Sequence, residues 1–434
     1  MSRPSSRATV PLLLLLLAAI LLPPLNSEAM PVFARKYNLS CNACHSAFPR
    51  LNTFGEQFVA NNLKLPNWKE AATRDVGDSQ LALPESVPLA IRAQAFVQSR
   101  DGKAVDEVSG ATLADASTDI QSPYLIKLLS SAPLSEHITY YFYGIFAEKG
   151  GNGETLIEDA WFRHDDVFGS GVDMMLGQYQ LSDLMFPRET RLTFQDFMAY
   201  RMAGITYDRG LQFGRVLGPL DVSVGLVNGN GVTSNFAINS PGYKRADRLF
   251  DSDNNKSLYG RLGLEAGPVG IGLFGLSGQQ RSVAAGNAGL SSGLRDTDKR
   301  VIGLDLSGAI DEKLFWFAQG LWNRWDGFLD AEPDKELEWF GGFAGVDYVA
   351  NDRWVYSLLY NYADAGDLKN TDTIYEGIDM RSLTLGTSYY FMRNVKGVLE
   401  VNYDLLDKKN KTGTYWTGHL SREHYLLLGF DAAF

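Results

Sequence analysis

The sequence predicts an all-β protein: a membrane β-barrel of about 16 antiparallel strands, preceded by a small, partly helical N-terminal segment. From about Pro88 onward, short segments alternate apolar and polar residues, as strands with two different faces do. Short turn signals and long polar stretches follow one another along the same region. Gly is enriched, at 43 of 434 residues, against a usual share of about 7%. Together these patterns are typical of a barrel wall between lipid and a polar lumen.

The first and last strands show the alternation most clearly. From about Leu89 to Gln98, apolar side chains share one face, and Arg92 and Gln94 lie on the other. From His424 to Phe434, alternate apolar residues again share one face, and the last residue is aromatic. A terminal aromatic on such a strand resembles the assembly signal of bacterial outer-membrane barrels. The alternative is a secreted soluble β-sandwich or solenoid with amphipathic strands.

The connections give the strand count. The short turn signals are Ala132-Pro133, Phe168 to Gly171, Gly218-Pro219, Gly267-Pro268, Ile310 to Glu312, Asn351-Asp352 and Arg393-Asn394. Long polar stretches separate them, so seven hairpins with one further strand at each end give about 16 strands. In outer-membrane barrels the tight turns face the periplasm and the long loops face outward. Both ends of the barrel chain would then face the periplasm.

The N-terminal 29 residues predict a secretory signal peptide. Arg3 and Arg7 precede an apolar run, and Ser27 to Ala29 form a small-x-small cleavage site. The run is about 12 residues long, short of the roughly 20 that a membrane helix needs. We therefore expect a signal peptide at 1–29, a segment around a cysteine motif at 30–87 and a barrel at 88–434. The net charge of −11 argues against a nucleic-acid partner.

The residues Cys41-Asn42-Ala43-Cys44-His45 form the motif that carries chemistry. C-x-x-C-H is the spacing at which two thiols bind a haem covalently and the following His ligates its iron. The chain has two cysteines, both in this motif, so the sequence predicts one c-type haem on Cys41 and Cys44 with His45 as proximal ligand. A thioredoxin-like site expects a βαβ setting, and a zinc site needs two more Cys or His ligands. Neither is evident.

The motif segment is too small to enclose a haem by itself. It predicts a short helix around Pro49 to Asn62, followed by a polar linker that contains Pro84 and Pro88. Some 50 residues bury too little surface to form an independent core. We expect the barrel to support the segment in its mouth or lumen.

The sequence does not identify the second axial ligand of the iron. An endogenous sulfur or imidazole would have to come from the barrel or from Met30. The barrel residues considered are Met185, Met198, His137 and His164. The two methionines lie in a long connection, Gln180 to Ala199, that predicts a loop folded into the lumen, whereas the histidines lie beside short turns. Taken singly, each is better explained otherwise, the methionines by packing and the histidines by a polar rim, and the sixth position could also be empty.

Three basic residues flank the motif. Arg35, Lys36 and Arg50 could pair with the haem propionates, because guanidinium and ammonium groups suit carboxylates. The alternative is that they are ordinary solvated charges.

The residues Pro31 to Tyr37, the cysteine motif, Phe48 to Asn52 and Phe54-Gly55, ahead of a barrel of about 16 strands, resemble the fused monohaem cytochrome-porins of bacterial outer membranes. The best-known members are iron(II) oxidases of iron-oxidising bacteria. The match is specific over about residues 31–65 and architectural over the barrel. The resemblance implies electron passage between the cell exterior and the periplasm through the haem.

The leading functional hypothesis is therefore an outer-membrane electron conduit with iron(II)-oxidase character. An extracellular donor, Fe(II) first among the possibilities, would reduce the haem, and a periplasmic cytochrome or copper protein would take the electron. That carrier must come close, because one haem cannot bridge a hydrocarbon core of about 30 Å. The alternatives are a haem-plugged porin for small solutes and electron export to extracellular acceptors. A wide, unblocked lumen would favour transport.

Overall fold

The computed structural model describes residues 32–65, 73–78, 82–84, 88–100, 104–105, 112–114, 118–148, 151–229, 256–283, 295–369, 371, 378–392, 394–406 and 424–434. The predicted signal peptide at 1–29 and Met30 lie outside the described residues. Within those residues, no helix is both long and apolar enough to cross a membrane.

The motif segment contains short helices and strands. They are α1 (Val32–Tyr37), a 3₁₀ turn (Cys41–Ala43), β1 (His45–Ala47), β2 (Arg50–Leu51) and α2 (Thr53–Ala60). Strand β1 pairs with β2, so the predicted helix around Pro49 to Asn62 begins later than expected, at Thr53. The side chain of Asn52 fixes that start by accepting a hydrogen bond from the backbone N–H of Gly55 at 2.9 Å.

Sixteen of the described strands close into one antiparallel barrel, as predicted. Besides the β1–β2 pair, two short ribbons lie outside it: β3 (Thr73–Asp75) with β4 (Ala82–Pro84), and β6 (Ala104–Val105) with β7 (Thr112–Ala114). The barrel strands are β5 (Leu89–Arg100), β8 (Thr118–Pro133), β9 (Ile138–Glu148), β10 (Gly151–His164), β11 (Asp173–Gln180), β12 (Tyr207–Leu217), β13 (Leu220–Val227), β14 (Ser257–Ala266), β15 (Val269–Arg281), β16 (Asp296–Ile310), β17 (Leu314–Asp326), β18 (Glu336–Val349), β19 (Trp354–Asp364), β20 (Met380–Met392), β21 (Val395–Asp404) and β22 (Tyr425–Ala433).

Each barrel strand pairs with the next one along the chain, and the last strand closes onto the first. Strand β22 pairs with β5, with Tyr425 opposite Arg100 and Ala433 opposite Arg92. The closure rules out the soluble sandwich that the sequence left open. The predicted short turns lie at the junctions between consecutive strands, although Ala132-Pro133 and Ile310 are the last residues of β8 and β16, and Arg393 lies outside the described residues. In two of them Gly218 and Gly267 have φ of 64° and 65°, a conformation that other residues adopt only under strain.

The strands have an exposed apolar face and a buried face. On β22, Leu426, Leu428 and Phe430 are exposed, whereas Tyr425 and Leu427, which alternate with them, are buried. This is the alternation that the sequence predicted for the last strand. The barrel therefore presents aliphatic and aromatic side chains outward and a mixed set inward.

The connection between β11 and β12, residues 181–206, folds into the barrel and is called here the lumen loop. It contains α3 (Met198–Ala203) and two 3₁₀ turns, Leu181–Leu184 and Arg188–Thr190. Its Phe197 ring stacks on Phe343 of β18, with ring centroids 4.3 Å apart. The Asn361 side chain of β19 accepts from the Met198 N–H at 3.3 Å and donates to the Asp196 carbonyl at 3.1 Å. The predicted inward fold of this connection is confirmed.

An apolar cluster fills the lumen between the lumen loop and the strands that it packs against. It includes the fully buried side chains of Tyr200 from the loop and of Trp325 and Leu337 from the wall. The Trp325 and Trp339 rings meet edge to face at 5.5 Å. In the described part of the chain, this side of the lumen is therefore packed with side chains.

Candidate functional site

The cysteine motif is held to the helix that follows it by one asparagine. The Asn52 side chain donates to the carbonyls of Asn42 and Ala43, both at 3.2 Å, and its backbone N–H donates to the Cys44 carbonyl at 2.9 Å. Helix α2 approaches so closely that a Cβ on Gly55 would lie 2.1 Å from the Cys44 oxygen. Only glycine fits there.

The ring of His45 is oriented as a metal ligand requires. Its Nδ1 lies 3.0 Å from the carbonyl oxygen of Pro49. Because a carbonyl can only accept, Nδ1 carries the proton, and the lone pair of a neutral ring is then on Nε2. Burial lowers the pKa of His45 and outweighs the opposing effect of the Pro49 and Arg50 carbonyls. The lowered pKa favours a neutral imidazole, whose Nε2 is then available to bind a metal.

Cys41, Cys44 and His45 line one cavity of about 250 Å³, whose walls are mainly apolar. The motif segment contributes further apolar walls, from Val32, Phe33, Tyr37, Leu51, Phe58 and Leu63. The barrel wall and the lumen loop close the opposite side with Arg92, Leu129, Tyr141, Tyr143, Glu189 and Thr190. We call this the inner cavity.

A second, wider cavity of about 1030 Å³ lies at the mouth of the barrel and shares Cys41, His45 and Phe48 with the inner cavity. A macrocycle wider than the inner cavity therefore has room toward the mouth. Two thiols, a neutral imidazole with a free ligand atom and apolar walls are the groups that a c-type haem requires. The residues present fit the predicted cofactor.

The motif segment is fastened to the wall at the short-turn end of the barrel. On the β8–β10 side, Lys64 forms an ion pair with Asp165, and the Thr139 hydroxyl donates to the Asn62 carbonyl at 3.0 Å. The Arg163 guanidinium donates to the Val59 carbonyl at 3.1 Å. These contacts tie the end of the segment to two adjacent hairpins.

On another side of the barrel, Arg50 forms an ion pair with Asp347 of β18, whose side chain is 4% exposed. The Phe48 carbonyl accepts from the Tyr390 hydroxyl at 2.8 Å and from the Lys396 ammonium at 2.9 Å. The segment is therefore attached at separate points around the opening, as a domain with little core of its own requires.

None of the four barrel residues considered as a second axial ligand lines the inner cavity. Met185 and Met198 are 7% and 5% exposed and pack in the apolar cluster of the lumen. His137 and His164 lie at the rim with their rings stacked at 5.5 Å, and Nδ1 of His137 is 2.8 Å from Asp165. The structure does not bring these side chains together with the motif.

The three basic residues considered for the propionates also lie outside the lining of the inner cavity. Arg35 is exposed and donates to the Leu89 carbonyl at 2.9 Å. Lys36 lies 5.8 Å from the Tyr37 ring, and burial lowers its pKa. Arg50 is engaged by Asp347 as described above.

Arg92 does line the inner cavity, although its sequence context does not mark it as a site residue. It donates to Asp431 through two nitrogens at 3.1 and 2.9 Å and to Glu189 of the lumen loop at 3.3 Å. Glu189 also accepts from the Tyr143 hydroxyl at 3.1 Å. The sequence places Arg92 on the polar face of the first strand, but it does not show which residues that face contacts.

Comparison with known proteins gives the fold. No family model matches the chain, and no curated protein matches its sequence. The solved structures that resemble it include the outer membrane channel DcaP of Acinetobacter baumannii, with TM-score 0.52 and 11% identity over 80% of this chain and 97% of the channel.

The anion-selective porin from Comamonas acidovorans has TM-score 0.52 and 13% identity, covering 80% of this chain and 99% of the porin. Salmonella typhi OmpF, solved in complex with daunomycin, has TM-score 0.52 and 12% identity, covering 80% and 98%. Identities this low establish the architecture alone. The chain has the fold of the outer-membrane porin barrels.

Proposed function

We propose that this chain is an outer-membrane barrel that transfers single electrons by means of one c-type haem held at its periplasmic mouth. The observation that carries the proposal is one cavity wall formed by Cys41, Cys44 and a His45 ring whose Nδ1–H is already bound to Pro49. The porin-like fold supports a place in the outer membrane, with lipid around the apolar outer face and the short turns in the periplasm.

A bound c-type haem supplies a one-electron iron couple. Cys41 and Cys44 would hold it through thioether bonds, and Nε2 of His45 would ligate the iron. The Pro49 carbonyl keeps the ring in that orientation and increases its basicity. Phe58 and Leu63 exclude water from the same cavity, and exclusion of water is one of the means by which a protein sets the potential.

Fe²⁺ from outside the cell is the donor that we propose. It would give one electron to the haem and become Fe³⁺, and a periplasmic carrier would then take that electron from the haem. No covalent bond to the donor forms or breaks. The mouth cavity, lined by Cys41 and Asn42 on one side and by Glu312 and Arg353 of two short turns on another, gives a cytochrome or copper protein a route to the motif.

The test is to add Fe(II) without oxygen to the purified, detergent-solubilised protein and to record the haem spectrum. Reduction of the haem is expected. His45→Ala, with the haem still attached through Cys41 and Cys44, should abolish the reduction or change the midpoint potential strongly. His164→Ala, which removes an imidazole outside the inner cavity, is the matched control and should behave as the wild type.

A spectrum that Fe(II) leaves unchanged would count against an iron(II) donor. A midpoint potential too low to accept electrons from Fe(II) at the working pH would instead favour electron export to an extracellular acceptor. Because both outcomes are read from the same haem, spectroelectrochemical titration of the wild type separates these two directions.

A porin for small solutes is the second function considered. The solved structures that resemble this chain are porins or channels and match it in its barrel, so they favour this function. The packed cluster around Phe197, Phe343 and Trp325 counts against a wide channel in the described part of the lumen. Conductance across planar lipid bilayers decides between them. Large, steady single-channel currents from haem-loaded protein would favour the porin, and small or absent currents favour the electron-transfer barrel.

A further inference from the structure

Two barrel side chains donate hydrogen bonds to one backbone carbonyl of the motif segment, that of Phe48, which follows the cysteine motif. The Phe48 oxygen accepts from the Tyr390 hydroxyl of β20 at 2.8 Å and from the Lys396 ammonium of β21 at 2.9 Å. Lys396 is almost fully buried, with 4% of its side chain exposed. A buried ammonium donating to a carbonyl is a strong, charge-assisted bond, and removing it leaves that carbonyl without its charged donor.

This carbonyl belongs to the peptide directly before the one that orients His45. The Phe48–Pro49 peptide is planar, and the ring of Pro49 fixes its own φ. Between the Phe48 oxygen and the Pro49 oxygen, the backbone therefore has a single soft torsion, ψ of Pro49. Fixing the first oxygen to the wall leaves the second, which accepts the Nδ1–H of His45 at 3.0 Å, little freedom.

The Phe48 side chain adds to the same restraint. Its ring meets the His45 ring edge to face at 5.2 Å, and the Arg92 guanidinium lies 5.6 Å from its centroid on the barrel side. Asp431 lies 3.7 Å from the Lys396 ammonium and is the bidentate partner of Arg92. Asp431 thus balances the charges of both Arg92 and Lys396. The principal contact of Lys396 with the motif segment is its hydrogen bond to the Phe48 carbonyl.

We propose that Tyr390 and Lys396 are positioning residues for the proximal ligand, which set the orientation of the His45 ring from the barrel wall. The inference rests on the proposed function only in that a haem must be attached to the motif. The orientation of a ligating histidine and the strength of its Nδ1–H bond determine how strongly it donates to iron. Tyr390 and Lys396, which lie more than 300 positions after Phe48 in the sequence, would then tune the haem potential.

The experiment compares haem-loaded Lys396→Met and Tyr390→Phe with wild type by redox potentiometry and by electron paramagnetic resonance of the ferric form. Lys299→Met is the matched control, because Lys299 is also buried on the lumen face and also donates to a backbone carbonyl, that of Gly204, at 3.1 Å. A pyridine haemochrome spectrum first establishes that haem is attached. Its absence from the wild type would remove the proposed function itself.

With haem attached, we expect both Lys396→Met and Tyr390→Phe to move the g values and the midpoint potential, and Lys299→Met to move neither. Tyr390→Phe changes no charge, so a shift in that variant reports geometry. If Lys396→Met alone shifts the potential and the g values of both variants match wild type, the lysine acts only as a charge and the inference is wrong. An equal shift in Lys299→Met would also overturn it.

Discussion

Replacing Gly55 by Ala is expected to loosen the motif segment while the barrel stays folded. The new Cβ would lie 2.1 Å from the Cys44 oxygen and 2.9 Å from its carbon, both backbone atoms that cannot move aside as a flexible side chain would. Helix α2 must shift away from the motif. The shift strains the bond from the Asn52 N–H to the Cys44 carbonyl at 2.9 Å and the cap from Asn52 to residue 55 at 2.9 Å.

The size of the effect follows from three contributions. Overpacking of this kind costs about 1–3 kcal/mol, and a lost N-cap costs about 1 kcal/mol. Replacing a helical Gly by Ala returns about 1 kcal/mol, so the clash outweighs the gain in helix propensity. The net cost to the docked segment is about 1–3 kcal/mol, which corresponds to local opening that is about 5 to 150 times more frequent.

Hydrogen exchange followed by mass spectrometry on peptides from residues 41–60 measures that opening in detergent. Gly275→Ala is the matched control, because a Cβ on that strand residue meets nothing within 4 Å. We expect faster exchange in the segment for Gly55→Ala, with the barrel peptides unchanged in both variants. Wild-type protection of residues 41–60 in Gly55→Ala would refute the close packing of α2 on the motif.

Two further predictions concern pH and the lumen loop. Burial raises the pKa of Asp165, but hydrogen bonds from Lys64 and His137 outweigh it and hold the pKa below its ordinary value of 3.8. The contribution of Asp165 to the stability of the docked motif segment is therefore complete above about pH 4. It is lost as the pH falls through the lowered pKa. The melting of the Soret circular dichroism signal should move to lower temperature in that range, and Asp165→Asn should remove this dependence. Glu400 accepts from two lumen-loop N–H groups at 2.6 and 2.9 Å and from the Tyr425 hydroxyl at 2.6 Å, and each hydrogen bond of this kind contributes about 0.5–3 kcal/mol, depending on the charge of the carboxyl group. Glu400→Ala should therefore free the loop and raise the bilayer conductance, and an unchanged conductance would contradict the role of the loop in filling the lumen.

The barrel could be predicted because its signals are local. A two-residue turn such as Gly218-Pro219 needs a residue that tolerates positive φ, and strands with one outward face need alternation. Both requirements are met by neighbouring residues, so the sequence shows them directly. The predicted start of α2 is wrong because Arg50 and Leu51 pair as a strand with His45 to Ala47, and the helical pattern does not show that pairing.

The surroundings of the motif could not be predicted, because they depend on which faces meet across the barrel. Arg50 and Asp347 are 297 positions apart, and Phe48 and Lys396 are 348 apart. Nothing in the local pattern of either residue indicates the other. Met185 was a plausible ligand by chemistry, but it packs as an apolar side chain in the lumen cluster. A lumen-facing arginine such as Arg92 is visible in the sequence, whereas its position beside the motif is not.

The proposed function requires that Cys41 and Cys44 hold one haem covalently beside His45. The most direct measurement is the intact mass of the protein purified from outer membranes of a host that attaches c-type haem, recorded after denaturation and treatment with a thiol-alkylating reagent. Covalent attachment predicts a chain heavier by one haem, with no alkylated cysteine. A chain without haem, carrying two alkylated thiols, would contradict it and leave the porin as the better description.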